Sequence, residues 1–346
     1  RPSNWTRNRQ GQWWQEPSAE DFLRPMGAKP QGLLGALATD SWDDYLAPPE
    51  FKRELLTLQR RFEVDFRERV EQAQGKMWRH PGIETPGIPI ALFAGPPGTG
   101  KTFAMKLLSL QAGLQAYVLD VAGLADEWNA EKIFTSVLEK ISGLRDAIVL
   151  IDECETLFSR RDVLSQYASV HVQKQKSMLT GFIKWADGLQ SRRDWQERRV
   201  VLVLATNMLR ELDPAIRDRA RFTVVFPLPG STECAEWWSQ HAKHLSSKQH
   251  QMLGKASEGL SFRSLMGVAE KMCFLDAENA AGPRERPDEP SFKTIKAELL
   301  KVKATNQEVV QERWKIYYNM MRMAREVLWN LQWGLQLAHQ LRRARL

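Results

Sequence analysis

The chain has 346 residues, 43% of them hydrophobic, and a formal net charge of +7. This length accommodates two domains with extensions, and this apolar fraction supports a packed core, which excludes a largely disordered chain. No apolar run approaches the ~18–20 residues of a membrane-spanning helix. The three cysteines, Cys154, Cys234 and Cys273, have no metal-ligand spacing, and their odd number argues against a disulfide framework.

Residues 1–44 are predicted to form an N-terminal extension that holds Trp5, Trp13 and Trp14 in a polar setting too irregular for a helix. Exposed tryptophans are common interface anchors; packing on the chain's own globular domain is the alternative, and both stay open. The chain starts at Arg1 rather than Met, which truncation or a cleaved organelle transit peptide would explain. We expect a reducing compartment, either the cytoplasm or an organelle matrix or stroma.

A phosphate-binding loop with the pattern G-x-x-x-x-G-K-[ST] lies between an apolar run, residues 88–94, and a helix-compatible stretch, residues 103–111. Its residues are Gly95, Pro96, Pro97, Gly98, Thr99, Gly100, Lys101 and Thr102. The loop's backbone N–H groups and the following helix N-terminus suit a triphosphate. Lys101 is expected to reach the β- and γ-phosphates and Thr102 to bind Mg²⁺. A simple Gly/Pro turn is the alternative, but eight matched positions in this context favour nucleotide binding.

A second apolar strand, residues 147–151, ends in Asp152 and Glu153. A carboxylate there can hold Mg²⁺, while its neighbour polarises the attacking water. We therefore predict Asp152 as the metal ligand and Glu153 as the base. A solvated acidic strand end is the alternative, since Glu155 is also nearby. The position of the pair, some fifty residues after the phosphate loop, favours the catalytic roles.

A third strand, residues 200–204, leads to Asn207, whose amide suits a hydrogen bond to the lytic water and the γ-phosphate. A Leu-Asp-Pro-Ala segment at 212–215 and an arginine-rich turn follow. In this order the motifs resemble those of AAA+ ATPases, in particular the classical group of katanin, spastin and the membrane-linked proteases. The resemblance covers about residues 40–275 and includes a segment similar to the family's strip beside the adenine, where Asp44 and Tyr45 are the expected nucleotide contacts.

This resemblance implies a P-loop NTPase α/β fold: a parallel-sheet domain, a small helical lid, and ATP and Mg²⁺ as ligands in a homo- or hetero-oligomeric ring. It identifies Asn207 with sensor 1 and Arg221 with the arginine finger that completes a neighbouring subunit's site. Where the family has a second finger, this chain has Asp218, so Arg219 or Arg217 is the open choice for that role. Surface ion pairs are the alternative for these arginines.

Two further positions are implied by the resemblance. Arg263 occupies the lid helix start, where many AAA+ branches carry the sensor 2 arginine; a solvated arginine is the alternative. Trp128 lies where threading AAA proteins hold the aromatic residue of the first pore loop, which grips an extended polypeptide substrate. The Gly-Glu pair that follows this aromatic in the family is missing here, so a core tryptophan at a helix start is the competing interpretation.

We predict four parts: the extension 1–44, an AAA+ α/β domain at 45–229, a helical lid at 230–280, and a linker with a C-terminal amphipathic helix at 281–346. That helix has a seam of the a/d type over about four heptads. Its seam residues are Val310, Trp314, Tyr317, Met321, Ala324, Leu328, Leu331, Leu335 and Ala338. We predict that it binds a partner protein; packing on the lid or lying on a membrane surface are the alternatives.

The predicted function is ATP hydrolysis that remodels or disassembles a protein client or complex. Two other functions stay open: an ATP-binding scaffold or assembly subunit with slow turnover inside a larger complex, and a nucleic-acid-associated AAA+ loader. The intact Asp152-Glu153 pair argues against an inactive ATPase and leaves slow turnover open. The dispersed basic residues, without a helix-turn-helix or zinc pattern, disfavour nucleic acid despite the net positive charge.

Overall fold

Five apolar segments of the chain form a parallel sheet in the computed structural model, as their near-continuous hydrophobic sequences predict. The structure describes residues 5–7, 13–15, 17–26, 41–63, 65, 69, 72, 90–160, 170–190, 198–279 and 289–306. The strands are β1 (Trp5–Arg7), β2 (Trp13–Gln15), β3 (Leu23–Pro25), β4 (Ile90–Ala94), β5 (Gln115–Leu119), β6 (Ala147–Ile151), β7 (Val200–Thr206) and β8 (Phe222–Val225).

The described helices surround this sheet or follow it. In chain order they are α1 (Ala19–Phe22), α2 (Pro49–Phe62), α3 (Lys101–Gln111), α4 (Val121–Asp126), α5 (Ala130–Gly143), α6 (Glu155–Phe158), α7 (Val170–Gln190), α8 (Pro214–Arg219), α9 (Ser231–His241), α10 (Ser247–Ser257), α11 (Phe262–Asn279) and α12 (292–306). A short 3-10 turn, Trp42–Asp44, precedes α2.

The main sheet has the order β3-β5-β6-β7-β4-β8. Strands β5, β6, β7, β4 and β8 are parallel, and β3 adds an antiparallel edge through its pairing with β5. The predicted parallel-sheet P-loop fold is therefore confirmed. The antiparallel edge strand lies in the segment that the sequence assigned only to an irregular extension, because three residues are too few for a recognisable strand pattern.

Both faces of the sheet are covered. In β6, Val149 and Ile151 face the core formed with α4–α8, while Ile148 and Leu150 face the core formed with α2 and α3. This alternation follows from the two-residue period of a strand. Strands β4, β6 and β7 are buried at every position, so the sheet's carboxyl edge is held by the most apolar part of the molecule.

The helices after β8 form a separate core of their own. Trp238 is 1% exposed there, and its indole Nε1 donates to the hydroxyl of Ser257 at 3.0 Å. Helices α9 and α10 cross so closely at Gly254 that an added Cβ would clash with the carbonyl oxygen of Ser231. This core lies in the segment for which the sequence predicts a helical lid, and we refer to it as the lid.

The lid core continues past residue 280, where we expected the lid to end. Ile295 and Leu299 of α12 are buried in the same cluster as Trp237 and Trp238, and Glu298 of α12 pairs with Lys271 of α11. Helix α12 therefore packs as part of the lid rather than as a linker. The predicted partner-binding helix over residues 310–338 lies outside the described residues.

The described ranges hold no helix with both the length and the hydropathy that a bilayer crossing requires. Helix α2 illustrates why: Phe51, Leu55, Leu58 and Phe62 are buried along one face at helical spacing, while the opposite face is polar. The described helices are built to cover a protein core.

Truncating Leu299 to alanine should lower the free energy of unfolding by about 2–5 kcal/mol, because it removes a fully buried side chain and leaves a cavity. The neighbouring Leu300 is 51% exposed, so Leu300→Ala serves as the matched control and should stay within ~0.5 kcal/mol. Denaturant unfolding followed by tryptophan fluorescence measures both. Equal effects of the two variants would contradict the inclusion of α12 in the lid core.

Candidate active site

The phosphate loop runs from β4 into α3 with backbone angles that only glycine adopts readily. Gly98 and Gly100 have φ of +76° and +93°, in the left-handed region. Gly100 immediately precedes α3, so the loop ends at a helix N-terminus, as the sequence predicts. That terminus offers unpaired N–H groups and the positive end of the helix dipole to an anion.

Lys101 lies almost buried at the centre of this loop, 7% exposed. Its ammonium donates to the carbonyl oxygens of Gly95 and Pro96 at 2.7 and 3.0 Å and to Oδ1 of Asn207 at 2.8 Å. Burial lowers the pKa of Lys101, and the negative charges of Asp152 and Glu155 partly offset that effect. The structure thus brings the predicted phosphate lysine and the predicted sensor into direct contact.

Thr102 and Asp152, the residues expected to bind Mg²⁺, are in contact with each other. The Thr102 hydroxyl donates to Oδ2 of Asp152 at 3.3 Å, so both oxygens lie within reach of one small cation. A hydroxyl and a carboxylate are hard oxygen donors of the kind that Mg²⁺ takes, together with oxygens of a bound triphosphate. Among the described residues no group of three or more His, Cys, Asp or Glu side chains could hold a metal on its own. As hard oxygen donors, Thr102 and Asp152 fit a Mg²⁺ ion whose remaining ligands are nucleotide oxygens.

The turn after β6 presents Glu153 on the open side of the site. Glu153 is exposed, has φ of +48°, and donates its backbone N–H to Oδ1 of Asp152 at 3.0 Å. A left-handed conformation is strained for a non-glycine residue. Cys154 holds the turn in place, because its side chain is fully buried and its N–H donates to the carbonyl of Ala205 in β7 at 3.0 Å. Burial raises the pKa of the Cys154 thiol, which keeps it protonated and inert.

Glu155 is a site residue that the sequence analysis treated only as a neighbouring acid. Its Oε1 accepts the backbone N–H of Asn207 at 3.4 Å. Its Oε2 is buried and has no hydrogen-bond partner in the part of the chain that the structure describes. Glu155 therefore ties the β6 turn to the end of β7. Its place two residues after the predicted base was the only available signal.

Tyr45 lies beside the phosphate loop, as expected for the nucleotide-side segment. Its buried ring stacks nearly parallel on Phe103 at 5.9 Å, and its hydroxyl is close to Gly100. Burial raises the pKa of Tyr45, so the phenol is neutral at any physiological pH. Asp44 lies in the preceding 3-10 turn, whose start is capped by the Ser41 hydroxyl.

The arginines of the arginine-rich turn differ in their hydrogen bonds and in their exposure to solvent. Arg219 makes two hydrogen bonds to the carboxylate of Asp187 in α7, at 2.8 and 2.7 Å, and a third to the carbonyl of Ala215 at 2.9 Å. The pairing lowers the pKa of Asp187. Arg221 is exposed just before β8. Arg217 is half-buried, and within the described residues its Nε has no hydrogen-bond partner.

The local sequence explains how this turn is built. Asp213 caps α8 by accepting the N–H of Ala215 at 2.9 Å, and Pro214 occupies the first helical position. The helix is only six residues long and ends at Arg219. The Asp187 pair therefore fixes the C-terminal end of α8, two residues before Arg221.

Arg263 stands where the lid meets the phosphate loop. It is exposed in the first turn of α11, and a Cβ added at Gly98 would lie 2.6 Å from the Arg263 Cβ. The positive charge of Arg263 contributes to the lowered pKa of Lys101. The two cations therefore share one electrostatic environment.

Trp128 is 65% exposed in the turn between α4 and α5. The competing interpretation, a core tryptophan that begins a helix, is therefore wrong. Ala130 and Ile133 fill the core at this point instead. Trp128 is on the surface of the α/β domain, away from the hydrophobic clusters of the sheet.

Comparisons with known proteins found similar sequences and a similar fold. Residues 91–229 match the family model described as "ATPase family associated with various cellular activities (AAA)". "Fidgetin-like protein 1" of Drosophila melanogaster is 31% identical over 150 residues, 43% of this chain and 27% of that protein. "Meiotic spindle formation protein mei-1" of Caenorhabditis elegans is 30% identical over 150 residues, 43% of this chain and 30% of that protein.

"Spastin" of Danio rerio is 26% identical over 260 residues, which cover 73% of this chain and 43% of that protein. The chain thus matches less than half the length of each of these relatives. Among solved structures, "Crystal structure of FIGL-1 AAA domain in complex with ADP" has a TM-score of 0.59 at 17% identity and covers 82% of this chain and 87% of that one. At that identity the likeness demonstrates the shared fold.

Replacing Asp187 with asparagine should cost at most about 1 kcal/mol of stability at neutral pH, because the pair is half-exposed. The pKa of Asp187 is lowered in the folded chain. The stability difference between the wild type and Asp187→Asn should therefore be at its full size above the pKa of an aspartate in the unfolded chain, ~3.9. This stability difference should vanish as the pH falls through the lowered pKa of Asp187 in the folded chain. Denaturant titrations at several pH values measure it.

The adjacent exposed Asp218 provides the control, since Asp218→Asn leaves the paired carboxylate in place. A pH-independent difference between wild type and Asp187→Asn would contradict an ionic Asp187–Arg219 pair.

Proposed function

We propose, from the match of residues 91–229 to the AAA ATPase family model, that this chain is an AAA ATPase of the classical group and hydrolyses ATP to remodel a protein or a protein complex. The observation that carries the proposal is the meeting of three strand ends at one edge of the sheet. Lys101 contacts Asn207, 106 residues later in the chain, and Thr102 contacts Asp152, 50 residues later. The residues that we propose for the phosphate cradle, the metal pair and the base therefore follow neighbouring strands of one sheet.

The proposed reaction is attack of water on the γ-phosphorus of ATP. Glu153 accepts a proton from the water as its oxygen bonds to phosphorus, and the bond from that phosphorus to the β–γ bridging oxygen breaks to release ADP. Lys101 stabilises charge on the phosphate oxygens, and Asn207 orients the water. Thr102 and Asp152 would hold Mg²⁺, which would supply Lewis-acid stabilisation of the phosphate oxygens.

A ring assembly follows from the assignment of Arg221. Arg221 is exposed, while Arg219 is already occupied by Asp187 and the Ala215 carbonyl. We therefore assign the finger to Arg221, acting on a neighbour's ATP, and assign Arg219 to holding the turn that presents it. The exposed guanidinium of Arg221 can extend across a subunit interface at little cost in free energy. Moving Arg219 into the same role would break its three hydrogen bonds.

Arg263 fits the sensor 2 role because it lies on the lid against the phosphate loop. A γ-phosphate bound in that loop would attract the Arg263 guanidinium. Departure of the phosphate after hydrolysis would remove this attraction and release Arg263. The proposal thus links the state of the nucleotide to the position of α11 and the lid. Such motion is what a remodelling machine transmits to its client.

Glu153→Gln should slow ATP hydrolysis at least ~10²-fold while nucleotide binding persists, because the amide takes no proton from water. Lys101→Ala should abolish binding, because the charge facing the phosphates is lost. Phosphate release and fluorescent-nucleotide titration measure the two effects. Glu139→Gln, an exposed glutamate on α5, is the matched control. Equal turnover by Glu153→Gln and wild type would refute the assigned base.

Arg221→Ala subunits should be inactive alone and regain turnover when mixed with Glu153→Gln subunits, because each supplies the group that the other lacks. Specific activity of the wild type should also rise with protein concentration. Arg145→Ala, at the opposite edge of the sheet and equally exposed, should behave as wild type. Full activity of a strictly monomeric protein, checked by sedimentation, would exclude the finger.

A further inference from the structure

We infer that Glu155 is a positioning residue for ATP hydrolysis and holds Asn207 in the orientation that the attacking water requires. This inference rests on the proposed function and gives a role to a carboxylate that the proposed reaction does not use. Glu155 is the first residue of the short helix α6, two residues after Glu153. It acts through Asn207 rather than on the water or the phosphate.

Glu155 contacts the backbone of Asn207. The N–H of Asn207 donates to Oε1 of Glu155 at 3.4 Å, between residues 52 positions apart in the sequence. A second hydrogen bond joins the same two segments, because the N–H of Cys154 donates to the carbonyl oxygen of Ala205 at 3.0 Å. The turn after β6 and the end of β7 are therefore tied at two neighbouring points, one of which is the Glu155 side chain.

The side chain of Asn207 is held from the other direction by Lys101. The ammonium of Lys101 donates to Oδ1 of Asn207 at 2.8 Å. A lysine ammonium has donors and no acceptor, so the amide atom that it meets must be the oxygen. The amide nitrogen, Nδ2, is left as the donor for the attacking water or for a γ-phosphate oxygen. This contact therefore selects which end of the Asn207 amide serves the reaction.

The second carboxylate oxygen of Glu155 has no evident role in folding. Oε2 is buried, and it makes no hydrogen bond to any residue that the structure describes. A buried polar atom without a partner costs free energy, which an apolar side chain at this position would avoid. The charge of Glu155 also acts on Lys101: burial lowers the pKa of Lys101, and Asp152 and Glu155 partly offset that effect. A carboxylate at position 155 thus serves the site more than the core.

Asn207 is fixed at both ends, its backbone by Glu155 and its side-chain oxygen by Lys101. A donor held in this way is already oriented when water and phosphate arrive, which is what preorganised catalysis requires. Without Glu155 the backbone N–H of Asn207 loses its acceptor, and the amide loses one of its two supports. The loss should fall on kcat rather than on KM, because Lys101 and the loop still bind the phosphates.

Glu155→Ala should lower kcat for ATP at least about tenfold and change KM less than about threefold. Glu155→Gln keeps an oxygen that can accept the Asn207 N–H, so its kcat should stay within about threefold of the wild type. The matched control is Glu211→Ala, which removes an exposed carboxylate four residues after Asn207 and should behave as wild type. Phosphate release by the full chain over a range of ATP concentrations, with Mg²⁺, measures all of them.

A double-mutant cycle shows whether Glu155 acts through Asn207. Asn207→Ala removes the side chain that Glu155 positions, so adding Glu155→Ala to it should lower kcat by no more than about a further twofold. A general structural role would instead lower kcat by the product of the two single effects. Thermal melts check the fold of each variant. If Glu155→Ala melts early, Glu155→Met replaces it, because methionine has a similar length and no acceptor oxygen.

Amide hydrogen exchange resolved at Asn207 tests the contact without any turnover. In Glu155→Ala the exchange at this N–H should become at least about tenfold faster, because the N–H loses its acceptor. Glu155→Gln and Glu211→Ala should leave the exchange rate within about threefold of the wild type. Unchanged exchange in Glu155→Ala would contradict the contact and overturn the inference.

The outcomes separate the positioning role from the proposed function. A wild type without ATP turnover would overturn the proposed function, and a role of Glu155 in that reaction with it. Wild-type turnover with an unchanged kcat in Glu155→Ala would overturn the positioning role alone. Equal losses of kcat in Glu155→Ala and Glu155→Gln would assign the effect to the charge instead of the hydrogen bond, and would also overturn it.

Discussion

The parallel pairing of β4 with β7 and of β7 with β6 holds the whole candidate site together. Parallel strands share a direction, so the groups that follow them meet at one edge of the sheet. A one-residue slip in any of these strands would turn its apolar side chains to the wrong face. All three strands are buried throughout, so the hydrophobic cores on both faces of the sheet fix the strand register. The strand register in turn sets the positions of the site residues.

Lys101 shows how the fold keeps a charge inside this edge. Taking an ammonium out of water is costly unless its donors are satisfied. Here three oxygens accept from it, two from the loop backbone and one from Asn207, which matches the three donors of a lysine. Asp152 and Glu155 add favourable charge and raise its pKa against burial. Phosphate oxygens have the same acceptor chemistry, so the lysine can change partners without losing hydrogen bonds.

The lid depends on the same loop. Close approach of Gly98 to Arg263 leaves no room for a side chain at position 98, so lid and phosphate loop touch through the smallest residue available. Leu46, next to Tyr45, packs on the lid core, while Tyr45 itself belongs to the core under α3. The phosphate loop and the segment at Leu46 therefore contact the helices after β8 at two separate places.

The sequence by itself determined the strand–loop–helix unit around Lys101, the Asp152-Glu153 strand end and the order of motifs, because these depend on local backbone preference and on unbroken apolar runs. Only the tertiary structure decided which arginine is free. Arg219 and Arg221 look alike in the sequence, and the distinction comes from Asp187, 32 residues away on another helix.

The same reason explains the other differences. The place of α12 in the lid, the exposure of Trp128 and the contact of Glu155 with Asn207 all depend on packing between distant segments. Short-range sequence patterns do not indicate which distant segments pack together. The sequence thus determined which chemical groups this protein has, and the packing of the helices on a buried sheet decided which of those groups meet, which are occupied and which stay exposed.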